Sequence, residues 1–75
     1  MPVSSKALEK FIELADLEAA ELAKRAGLTP ETISRYKSGN WSATVGSLDK
    51  IVGALNKRYK ELGLSLVLRA GDLLE

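Results

Sequence analysis

The chain reads as mainly α-helical, with four to five helices and one C-terminal β-strand. Apolar residues recur at helical spacing from Ser4 to about Leu62. Serine, threonine, proline and glycine stand where helices of that spacing should begin and end. After Gly63 the period drops to two, as it does nowhere else in the chain.

Leu8, Phe11, Ile12 and Ala15 form the i, i+3, i+4, i+7 set of an amphipathic helix. Ser4 or Ser5 can cap it, because a hydroxyl there accepts an orphan N–H of the first turn. A second, short helix carries Ala19, Leu22, Ala23 and Ala26 on one face. It ends at Gly27, since glycine enters the left-handed conformation after a helix without strain. Thr29-Pro30-Glu31 then gives three start signals in a row: a capping hydroxyl, proline at the first position and an acid at the positive end. This third helix runs to about Ser38, buries Ile33 and Tyr36, and stops at Gly39-Asn40.

Thr44 can cap a fourth helix whose inner face is Leu48, Ile51, Val52 and Leu55, continued by Tyr59 and Leu62. One helix as far as Gly63 is the simpler reading; Asn56 capping a separate last turn is the alternative. Gly46 and Gly53 each weaken this helix by up to about 1 kcal/mol relative to alanine. They are candidates for close approach to a neighbouring helix.

Leu64, Leu66 and Leu68 share one face at spacing two, the pattern of a half-buried strand. A lone strand leaves its backbone N–H and C=O groups unpaired, which is costly when they are buried. The segment Leu64 to Arg69 is therefore expected to pair antiparallel with its own copy across a twofold axis, with Leu64, Leu66, Val67 and Leu68 at the dimer contact. The alternative is an irregular tail packed on the helices. On this reading residues 1–63 form the helical domain and 64–75 a dimerising strand and tail.

Composition limits the chemistry. The 75 residues make one small domain, and a chain of this size buries only about 60% of its unfolded surface, so oligomerisation is an expected aid to stability. There are no cysteines and no histidines. Disulfides, thiolate nucleophiles, Cys/His zinc sites and imidazole catalysis are thereby excluded. No glycine-rich phosphate loop and no nucleophile beside a base is present, so an enzyme is not expected, nor a cofactor or metal. With no long apolar run and no leader-like start, the expected location is the cytoplasm, away from membranes.

The net charge of +1 hides an uneven distribution. Residues 1–23 carry −3, residues 24–60 carry +6 and residues 61–75 carry −2. A basic block between acidic ends suits a polyanionic partner, and it also suits a solvated lysine-rich surface.

Two short helices joined by a glycine-containing turn, the second opened by a strong cap, describe a helix-turn-helix. Residues 21–40, ELAKRAGLTPETISRYKSGN, resemble the Cro and phage-repressor (XRE-like) class of helix-turn-helix DNA-binding proteins. Leu22-Ala23 and Ala26-Gly27 match its second helix, Thr32 to Arg35 its recognition helix, and Gly39 the glycine that follows. The resemblance continues through Leu48, Ile51, Ala54 and Leu55. It implies a repressor-like domain that binds double-stranded DNA and comes from a bacterium or a phage. A helix-turn-helix followed by a pairing strand also resembles HipB-type antitoxin repressors, which admits a cognate toxin as a further partner.

A major groove about 12 Å wide admits one helix with its first turn toward the base edges. With Ile33 and Tyr36 facing inward, the outer face of the third helix holds Pro30, Glu31, Ser34, Arg35 and Ser38. Arg35 can fork onto guanine O6 and N7, Glu31 can accept from cytosine N4 or simply favour the helix start, and Pro30 can touch a thymine methyl. Base-contact candidates are Pro30, Glu31, Ser34 and Arg35. Phosphate-contact candidates, by resemblance to the class, are Ala19 at the start of the second helix, Thr29, Lys37, Ser38, Asn40, Trp41 and Thr44. The class usually has a polar cap where this chain has Glu18-Ala19-Ala20, and a glutamate there opposes phosphate. Trp41 either packs against the third helix or offers its indole N–H to a phosphate. Lys57, Arg58 and Lys60 are expected on a solvated helix face.

The expected function is a sequence-specific transcriptional regulator, a repressor, that binds a palindromic operator as a homodimer. The rival is an antitoxin or a protein–protein interaction module.

Overall fold

The computed structural model describes residues 2–39 and 41–75. Four α-helices follow in order: α1, Ser5–Leu14; α2, Ala19–Ala26; α3, Pro30–Ser38; and α4, Val45–Glu61. A short 3-10 turn, Ala70–Leu73, lies near the C-terminus. No helix among the described residues is long and apolar enough to cross a membrane.

Three of the four helices begin on a hydroxyl. Ser4 accepts from Ala7 N–H, Thr29 from Thr32 N–H and Thr44 from Ser47 N–H, at 3.3, 3.3 and 3.1 Å. Each such cap stabilises its helix by about 1 kcal/mol relative to alanine. Glu18 starts α2 without a side-chain cap. Gly27 turns the chain from α2 toward α3 at φ 71°, a conformation that costs glycine nothing.

α4 runs unbroken, so the alternative of a separate last turn capped by Asn56 is not what forms. Nothing lies within 4 Å of a side-chain carbon built on Gly46 or Gly53. Both face open space, and the close helix approach expected there is absent.

The core joins Leu8 and Ile12 of α1, Leu22 and Ala23 of α2, Ile33 of α3, and Leu48, Ile51, Leu55 and Tyr59 of α4. Val3, Leu68 and Leu73 complete it from the two tails. Each fully buried Leu or Val stabilises by about 1.5–3 kcal/mol, so the tails belong to the fold's energetics. They also meet each other. Val3 pairs antiparallel with Leu74 and Pro2 with Ser42, while Ser4 N–H donates to Leu73 C=O at 2.8 Å.

Two α4 side chains fasten the end of α1. Tyr59, fully buried, donates its hydroxyl to Phe11 C=O, and Arg58 Nε donates to Ala15 C=O at 2.9 Å. Arg58 also contacts Glu61, so it is not the solvated cation that periodicity suggested. A cation here answers a carbonyl left without a helical partner at the end of α1.

The strand expected over 64–69 does not form within the single chain, because among the described residues no neighbouring strand lies beside it. The segment runs without helix, turn or bend. Of the expected inner face, Leu68 is buried, Leu66 half-buried and Leu64 exposed; Val67 points outward at 72% exposure.

Candidate nucleic-acid interface

α3 is held from behind by Ile33 and Tyr36, both buried. That anchoring turns Pro30, Glu31, Ser34, Arg35 and Ser38 outward, all exposed. Every base-contact candidate thus lies on one uncovered helix face. The first turn of α3 is fixed by Thr29, whose hydroxyl caps Thr32 N–H and lies 2.9 Å from the Thr32 hydroxyl.

Trp41 flanks this face from the loop after α3. The residue is 45% exposed, and the Arg35 guanidinium sits over its ring, 5.2 Å from the centroid. Its carbonyl accepts from Val3 N–H at 3.0 Å. Trp41 therefore meets α3 through Arg35 rather than through the core, and this stack carried no signal in the sequence. It sets a planar cation beside an aromatic plate at the edge of the outer α3 face.

The phosphate-contact candidates separate into distinct settings. Ala19 and Lys37 border one hollow together with Glu9, Glu13 and Glu18. The first turn of α2 opens there, so its positive end and one lysine share the space with three carboxylates. Ser38 donates its hydroxyl to Arg35 C=O at 2.7 Å, and Thr44 donates to Ser47 Oγ at 3.0 Å. Both hydroxyls are engaged within the chain. Asn40 lies outside the described residues.

The basic block of residues 24–60 is not one continuous surface. Arg25 is bound by Glu21 at 3.3 Å and by Glu61 at 3.1 Å, and Arg58 also reaches Glu61. The hydrogen bond from Arg25 holds the Glu61 carboxyl below its ordinary range, and Glu61 in turn raises Arg25. Two of the eight cations in the block are thereby tied to acids, leaving Arg35 and Lys37 as the cations of α3 itself. Among the described residues no cluster of side chains is arranged to hold a metal ion.

The geometry is a short helix, a glycine turn and a capped second helix with its polar face uncovered. A helix-turn-helix family model matches residues 8–66, most of the chain. The chain belongs to the helix-turn-helix family. This is a family of DNA-binding regulators of transcription and not one of enzymes. The match runs from α1 through α4 into the extended segment, so the helix-turn-helix in this chain is α2–turn–α3 set in its four-helix support. No curated protein and no solved structure gives a significant match to the chain.

Proposed function

We propose that this helix-turn-helix protein is a transcriptional repressor that binds a palindromic operator in the major groove as a homodimer. The observation that carries the reading is the outer face of α3, where Arg35, braced by Trp41, stands beside Ser34 and Glu31 on a helix anchored only from behind. Arg35 reads guanine, Glu31 accepts from cytosine, and Ser34 takes either a donor or an acceptor. Pro30 touches a thymine methyl. Lys37, the first turn of α2 and the groups around Trp41 and Thr44 hold phosphates and fix the register.

One α3 reads too few bases for useful discrimination. Two copies related by a twofold, with their recognition helices about 34 Å apart, read two half-sites one helical turn apart. Occupancy of such a site by the dimer excludes other proteins from it, which is repression. The protein acts in the cytoplasm, with its DNA.

Selection of bound duplexes from a random pool, using the full chain, tests this reading. The expected output is a palindrome with half-sites 10–11 base pairs apart. The affinity should also fall with salt at a slope near −0.9 per phosphate contact. No enrichment together with a flat salt response would instead support an interaction module or antitoxin whose partner is a protein.

A further inference from the structure

Between Leu64 and Leu68 the segment after Gly63 carries its hydrogen bonds on one side only. Leu64 N–H donates to Tyr59 C=O at 2.8 Å. Four residues on, Leu68 N–H donates to Asn56 Oδ1 at 2.7 Å and Leu68 C=O accepts from Asn56 Nδ2 at 3.1 Å. Both partners belong to α4. In an extended chain the N–H and C=O of one residue point to the same side, and those of the next residue to the other. Leu64 and Leu68 thus direct theirs to α4, while Ser65 and Val67 direct theirs away from it. Arg69 follows the same alternation, giving its N–H to Asp72 Oδ2 at 2.8 Å. Among the described residues the backbones of Ser65 and Val67 make no hydrogen bond. Both residues are exposed.

We infer that this free edge docks a second copy of the chain in a single register, antiparallel, with Leu66 on the twofold axis. The inference rests on the homodimer reading above and specifies its contact. In this register Ser65 faces the partner's Val67 and Val67 faces the partner's Ser65. Each pair exchanges two N–H···O=C bonds, which satisfies every free group on the edge. The neighbouring registers conflict with bonds already made. Centring on Ser65 needs the N–H of Gly63, which Lys60 C=O holds at 3.0 Å. Centring on Val67 needs the N–H of Arg69, which Asp72 holds. The free groups are symmetric about Leu66, so an identical strand is their complement. Leu64 at 42% exposure and Val67 at 72% supply apolar surface for the contact.

The chain has no cysteine, so single-cysteine variants report the register directly. Leu66→Cys places two thiols at a non-hydrogen-bonded pair, with Cα atoms about 4.5 Å apart, inside the disulfide range. Ser65→Cys and Val67→Cys meet their own copies only diagonally, about 7–8 Å apart. Under mild oxidation Leu66→Cys should form covalent dimer at least ~10-fold faster than the other two. Val67→Pro removes one edge donor while leaving an extended backbone allowed, and should weaken the dimer at least ~10-fold in sedimentation with helical content unchanged.

A chain that sediments as a monomer throughout the micromolar range overturns both the dimer and its register. A dimer in which Ser65→Cys or Val67→Cys cross-links first, or which Val67→Pro leaves intact, overturns the register alone. If Leu66→Cys fails to fold, the Val67→Pro result decides.

Discussion

The Arg35 guanidinium lies over the Trp41 ring, 5.2 Å from its centroid, at the edge of the α3 face. An exposed stack of this kind contributes about 0.5–1 kcal/mol. More important for recognition, it removes freedom from a long side chain before DNA arrives. Trp41→Ala should weaken binding to the selected operator by about two- to fivefold and relax the preference at the base read by Arg35. Trp41→Phe should retain most of both. Arg35→Ala should cost about 1–3 kcal/mol on the operator and far less on random duplex. Titrations of each variant against both duplexes check the order; equal losses on both would remove Arg35 from base readout.

Glu18 stands at the uncapped start of α2, beside Glu9 and Glu13. Glu18→Ser supplies a capping hydroxyl and removes a charge that repels phosphate. Stability should rise by about 0.5–1 kcal/mol in urea unfolding. Affinity for operator and random duplex should rise together, because a phosphate contact carries no base preference.

Asn56 bonds both backbone groups of Leu68. Asn56→Leu keeps the bulk and strands that N–H and C=O next to the core. Urea denaturation should show a loss of about 1–3 kcal/mol. Asn56→Asp keeps only the acceptor and sets a carboxylate against Leu68 C=O, so it should not rescue.

Two groups give stability a dependence on pH. Burial pushes the Tyr59 hydroxyl up to about 12. The unfolded chain releases that proton near pH 10 while the folded chain keeps it, so the contribution is whole below pH 10 and is lost as pH rises toward 12. Stability should fall there by up to about 1.4 kcal/mol per unit, and Tyr59→Phe should flatten that slope. Glu61 has the opposite sign. Its carboxyl is held low by Arg25, so its contribution is present at neutral pH and is lost as pH falls through its folded value. Glu61→Gln should therefore be less stable than the parent at pH 7, and the gap should narrow as pH falls, as thermal unfolding across the acid range would show.

The helices were legible in the sequence because their signals are local. A cap needs only a hydroxyl three residues before its N–H, and Ser4, Thr29 and Thr44 each stand at that distance. The outward face of α3 follows from the same periodicity that buries Ile33 and Tyr36. What escaped depends on residues far apart in the chain. Arg58 reaches Ala15 across 43 positions, Arg25 reaches Glu61 across 36, and Asn56 reaches Leu68 across 12. No spacing rule foretells such pairs, since the packing of α4 against α1, α2 and the C-terminal segment creates them. The Arg35–Trp41 stack was hidden for another reason: a loop aromatic has no period to say where its ring will lie.

Asn56 also decides how many strands the segment 64–69 can hold. Its carboxamide stands where a neighbouring strand would place a peptide group, and Leu64 is likewise taken by Tyr59. The chain's own helix thus occupies that flank at both Leu64 and Leu68, which leaves the other flank for strand addition. A sheet grows when both edges of each member are open. In the dimer proposed above, association through this segment has a fixed stoichiometry: once the open flank is filled, neither member has an edge left to offer, and the assembly stops at two instead of lengthening into a fibre.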